Sequence, residues 1–79
     1  MLDLLPEQCR AARALLDWSQ AELCRKAGIG EKTLRLFEGG SSGTSDDTKA
    51  LLRDALTRAG IIFIDQNGEG PGLRLRKRR

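Results

Sequence analysis

Hydrophobic positions along the chain follow two periods, and the change between them divides it. Up to Gly60 apolar residues return every three or four positions, the spacing of one helix face; from Ile61 onward they run together or alternate, as in strands. The first helical segment is PEQCRAARALLDW. Pro6 suits the opening position of a helix, where its missing N–H costs nothing, and Glu7 complements the positive end of the helix dipole. At about 100° per residue, Cys9, Ala12 and Leu16 form one apolar stripe. Arg13 falls on the flank of that stripe and needs a partner. Trp18, the only tryptophan, closes the segment and is expected in the core rather than as a ligand platform.

Three more helices follow. Ser19 with Glu22 three residues on has the form of a capping box, the hydroxyl accepting from the Glu22 N–H and the carboxylate reaching back to Ser19. Leu23, Cys24 and Ala27 then share a face. Gly28 ends this helix, because the residue past a helix end often takes a positive φ, and Ile29 turns inward as an apolar anchor. The third helix runs from about Gly30 to Glu38, with Leu34 and Phe37 inside. Lys32, Arg35, Leu36 and Gly39 lie on its outer arc, with Glu31 and Thr33 on the flanks. GGSSGT is a loop by composition, and Ser45 with Asp46 and Asp47 opens the fourth helix. Its apolar set is Leu51, Leu52, Ala55, Leu56 and Ala59, and Gly60 terminates it.

The remaining segments, Ile61 to Ile64 and Leu73 to Arg76, predict a β-hairpin across the turn sequence QNGEGPG. A lone two-stranded hairpin is marginal in water, so one face is expected to pack on the fourth helix. Apolar residues on both faces of the first strand leave the other face for a second copy of the chain. Ile61, Ile62, Phe63, Ile64, Leu73 and Leu75 are the expected dimer interface.

Composition narrows the functional classes. With 79 residues, 39% apolar and 32% charged, the chain is one small folded domain, of a size that often gains buried area by oligomerising. No apolar run approaches the ~20 residues of a membrane span, and the N-terminus lacks a basic signal start, which points to the cytoplasm. Cys9 and Cys24 lack a CxxC spacing and are expected as small buried apolar residues rather than a zinc site or disulfide. There is no His, no Tyr, no G-x-S-x-G and no P-loop, so an enzyme reading has no support, and neither a cofactor nor a metal is implied. The net charge of +3 conceals a division. Arg74, Arg76, Lys77, Arg78 and Arg79 hold five of the 14 bases, leaving 9 − 11 = −2 upstream. Affinity of the body for nucleic acid must therefore come from charge placed on one face.

The stretch SQAELCRKAGIGEKTLRLFEGG resembles the helix-turn-helix of the XRE family, the phage Cro and cI-type repressors. Ser19, Gln20, Glu22, Leu23, Gly28, Ile29, Glu38 and Gly40 fall at matching positions, and the match extends over roughly residues 5 to 60. The resemblance implies a mainly α, four-helix lambda-repressor-like helix-turn-helix domain over 1–60. The C-terminal β-hairpin, which carries dimerisation, and a basic tail occupy 61–79. It further implies a bacterial or phage-type transcriptional regulator, more a repressor than an activator. Such a protein is cytoplasmic, nucleoid-associated when bound, and works as a homodimer on double-stranded DNA.

Carried over residue by residue, Arg13 pairs with Glu38 as a structural strut. Glu31, Lys32, Arg35 and Leu36 face base edges, Leu36 as an apolar contact. Ser19, Gln20, Thr33, Gly40 and Ser41 lie along the DNA backbone, Gln20 on a phosphate. Two residues depart from the family pattern. Gly30 replaces a Ser or Thr cap, and Glu31 stands where Gln or Arg is usual; an acid there either accepts from a cytosine amine or orients Arg35, and the second is expected. Arg25 and Lys26 are expected to be a solubilising face. The basic tail is expected either to bind phosphates non-specifically or to be a disordered end. A different reading is a protein-interaction module, such as an antitoxin, whose hairpin binds another protein.

Overall fold

The computed structural model describes residues 4–64 and 68–76. Four helices come first: α1 (Pro6–Leu16), α2 (Gln20–Ala27), α3 (Glu31–Glu38) and α4 (Asp46–Arg58). Strands β1 (Ile61–Ile64) and β2 (Gly72–Leu75) follow and pair antiparallel, with Ile61 opposite Leu75 and Ile64 opposite Gly72. The mainly α class with a C-terminal hairpin is therefore the observed one. The second strand sits one residue earlier than the alternation of Leu and Arg suggested. Lys77, Arg78 and Arg79 of the basic tail, and Gln66 and Asn67 of the turn sequence, lie outside the described residues.

The helix ends follow their local chemistry. Ser19 Oγ accepts the Glu22 N–H at 3.0 Å, but the Glu22 carboxylate pairs with Arg25 instead of returning, so only half of the expected capping box forms. At φ +76° Gly28 takes the left-handed conformation, and the N–H groups of Gly28 and Ile29 both close on the Cys24 carbonyl. α3 starts at Gly30 with no side-chain cap. Ser45 Oγ caps α4 by accepting the Thr48 N–H at 3.1 Å.

All four helices meet in one core of Cys9, Ala12, Leu23, Cys24, Ala27, Leu34, Phe37, Leu52, Ala55 and Leu56, with Leu4 and Ile61 added from outside them. Leu51 is a correction: although it belongs to the apolar pattern of α4, it is 47% exposed. Trp18 is only half-buried at the edge of the core. Both cysteines are buried and free.

The hairpin divides between its two faces. Ile61 is 1% exposed and belongs to the core, and Phe63, Leu73 and Leu75 on the same face pack against it. β2 lies on α1 as well as β1 on α4. Gln8 fixes the first of these contacts: its carbonyl accepts the Leu5 N–H at 3.1 Å, and its amide donates to the Gly72 carbonyl at 3.2 Å. Of the six residues expected at a dimer interface, Ile61 is thus buried in its own chain and Phe63, Leu73 and Leu75 are half-buried against it. Only Ile62 and Ile64 face away. Among the described residues, no helix is long and apolar enough to cross a membrane.

Candidate nucleic-acid interface

α3 has two chemically opposite sides. Leu34, Phe37 and Glu38 are buried against α1 and α2, whereas Glu31, Lys32, Thr33, Arg35 and Leu36 are all exposed, Leu36 by 51%. What fixes the helix in place is the Glu38 carboxylate, which is 4% exposed and fully engaged. Arg13 grips it with both arms, Nε on Oε2 at 2.8 Å and Nη2 on Oε1 at 2.7 Å. Gln20 donates to Oε1 at 3.1 Å and the Cys9 thiol to Oε2 at 3.1 Å. Arg10 donates to the Glu38 backbone carbonyl, and Arg13 also holds the Trp18 carbonyl at 3.1 Å. One carboxylate thus ties the end of α3 to α1 and to the start of α2.

The electrostatics of this cluster follow from its contacts. Burial pushes the Glu38 carboxyl up, but hydrogen bonds from Arg13, Gln20 and Cys9 outweigh it and hold it below its ordinary value. The hydrogen bond from Arg13 to Glu38 raises Arg13 further. Burial, and then the neighbouring Glu38, push the Cys9 thiol far up, so it stays a protonated donor. Burial likewise raises Cys24. Both thiols are buried in surroundings that disfavour the reactive thiolate.

On the outer face, Lys32 and Arg35 have no ion-pair partner among the described residues, and Arg35 is not paired with Glu31 one turn away. Glu31 and Arg35 are thus not paired with each other in the chain alone, and the expected orienting role concerns the DNA-bound state. Glu31 is left as an exposed acceptor, able to take a donor from a ligand.

The residues assigned to the DNA backbone divide. The Ser19 hydroxyl keeps its proton to donate after capping α2, and Thr33 is exposed. Gln20 is half-buried and turned inward onto Glu38, which leaves one amide N–H and its carbonyl for an outside contact. The N–H groups of Gly40 and Ser41 are used in turning the chain after α3, bonding the Phe37 and Leu36 carbonyls at 3.0 Å each. Only the Ser41 hydroxyl remains at that end, and it accepts from the Gly43 N–H at 3.3 Å.

Sequence reasoning passed over Gln8 and the two extra donors on Glu38. A Gln at the third position of a Pro-initiated helix is itself a capping signal and could have flagged Gln8. Nothing in the sequence marks Cys9 as a partner of Glu38, because the two come together only through packing. Among the described residues there is no cluster able to hold a metal ion. Compared with known proteins, the chain matches no family model and no curated protein.

Proposed function

We propose that this chain is a sequence-specific double-stranded DNA-binding transcriptional regulator, a repressor by its resemblance, acting as a homodimer on an inverted-repeat operator. In this reading α2, the turn at Gly28–Gly30 and α3 form a helix-turn-helix of the lambda-repressor-like kind, at work in the cytoplasm on the nucleoid. The single observation that carries it is the outer face of α3. Five exposed side chains stand there, two of them cations with no ion-pair partner among the described residues, on a helix anchored from behind by Glu38.

A helix of this kind fits the ~12 Å major groove. Arg35 and Lys32 supply donors for guanine, Glu31 an acceptor for a cytosine amine, and Leu36 an apolar surface for a thymine methyl. The α2 N-terminus, with the Ser19 hydroxyl and the remaining Gln20 N–H, supports a backbone phosphate. Two copies of α3 about one helical turn apart, ~34 Å, would read the two half-sites.

Footprinting on the DNA upstream of its own gene tests the reading. Protection is expected at ~100 mM salt and micromolar protein, given usual specific affinities. Lys32→Ala with Arg35→Ala should abolish it while the melting temperature holds. No protection by the wild-type chain would remove the proposal.

A further inference from the structure

Ile61 is buried in the chain's own core and Phe63, Leu73 and Leu75 are half-buried against it, so on the hairpin only Ile62 and Ile64 stand on the outward face. A standard interface takes ~800 Å² from each partner, more than two half-exposed side chains can give. A surface with matching shape and charge for a second copy lies on α4.

An open groove of ≈ 450 Å³ is lined by Leu16, Trp18, Lys26, Ala55, Arg58 and Ala59. It exists because alanines stand at 55, on α4, and at 59, the residue just past its end, toward Leu16 and Trp18; larger side chains there would close it. Its floor is apolar and its rim is cationic. The Lys26 ammonium stands 5.7 Å from the centroid of the Trp18 ring. Arg58 Nε is 2.9 Å from Asp54 Oδ2, in a pair exposed on both sides. Such a pair adds little stability, and the guanidinium keeps further N–H donors for another carboxylate.

The complement of this groove is on the same helix. Leu51, 47% exposed, stands about two turns N-terminal to Ala59. It carries exposed acids on its solvent side, Asp47 four residues before it and Asp54 three after. At about 100° per residue Leu51, Ala55, Arg58 and Ala59 fall within roughly 100° of arc, with Asp47 and Asp54 at its margin. One face of α4 therefore holds an acidic apolar knob at one end and part of a cationic apolar groove at the other.

We propose that this face is the homodimer contact, two α4 helices packing antiparallel about a twofold axis. The Leu51 of each copy enters the groove of the other, and Asp47 and Asp54 meet the Lys26–Arg58 rim. A twofold makes a knob-and-groove face self-complementary, because each contact occurs twice. Ala59, half-buried beside the core residue Ala55, leaves room for the second helix at the crossing. The contact is read from α4 itself and rests on the preceding functional reading only for its consequence at DNA.

Light scattering on the full chain over about a thousandfold concentration range, with Trp18 emission followed in parallel, tests the proposal. The wild type should dimerise with a blue shift of Trp18, the only tryptophan. Leu51→Arg, at an exposed position, should raise the dimer dissociation constant at least tenfold and abolish the shift. Ala59→Phe, which fills the groove, should do the same from the other side of the contact, and Ile64→Arg should change neither. Dissociation by Ile64→Arg with Leu51→Arg unaffected would overturn the proposal, as would a wild type that stays monomeric throughout. On DNA, Leu51→Arg should keep half-site binding and lose cooperative binding to the full repeat. Failure of the wild type to bind even a half-site counts against the DNA-binding reading and leaves the scattering result as the test of the contact.

Discussion

Glu38 shows how much a single residue can organise here. It is an acid at the end of a short helix, yet it is buried and accepts from Arg13, Gln20 and Cys9 while its carbonyl takes Arg10. Removing it strands the Arg13 guanidinium, whose side chain is 19% exposed. Glu38→Ala should therefore cost more than ~1 kcal/mol, toward the ~3–5 kcal/mol of a broken buried pair. Coincident thermal melts of variant and wild type would refute this. The pH dependence has a definite sign. The Glu38 carboxyl is held below its ordinary value of 4.5, so the stabilisation is complete above that value and is lost as pH falls through the depressed one. Acid titration of the melting temperature should fall more steeply for the wild type than for Glu38→Gln, which has no proton to take up.

At the scale of elements, the hairpin is where pattern and packing part company. Its two strands were legible from Ile61–Ile64 and the alternation of Leu and Arg, and the four helices from their apolar period and caps. What a run of four apolar residues cannot state is which face meets the body of the protein. Pairing of β2 on α1, fixed through Gln8, decided that, and it turned Ile61 and Phe63 inward. The same blindness applies to Leu51, which has a core-forming residue type and helical spacing but sits at the margin of the buried arc. In the site, the outward set on α3 followed from periodicity because a helix buried on one side has only one free side. The loss of the Gly40 and Ser41 N–H groups did not, since it depends on how the chain turns after α3. The consequence is testable by contrast. Ile61→Ala should cost ~2–5 kcal/mol in chemical denaturation, as a core truncation does. Ile62→Ala, on the outward face of the same strand, should cost well under half as much, and equal losses would contradict the assignment of faces.

For the whole molecule, charge placement matters more than net charge. The residues upstream of the basic tail carry a balance of 9 − 11 = −2, so on the proposed reading attraction to phosphate would come from bases placed on one face, those of α3, and from the C-terminal bases. Arg74 points outward from β2, and Arg76 is fixed by its N–H to the Gly60 carbonyl at 2.7 Å. Truncation after Leu75 removes four bases; if they neutralise phosphates, the slope of log affinity against log salt falls by up to ~0.9 for each phosphate left without its cation. An unchanged slope would assign all phosphate binding to the body. Sequence preference should survive truncation, since the proposal places base reading on α3.

That division between a reading helix and its supports makes selection from random double-stranded DNA by the full chain the most direct measurement. The predicted result is an enriched inverted repeat with half-site centres about one helical turn apart, ~34 Å, whose preferred bases change when Arg35 or Glu31 is replaced. Failure to enrich any sequence, or an enriched sequence indifferent to replacements at Glu31, Lys32, Arg35 and Leu36, would contradict the assignment of α3 as the element that reads DNA.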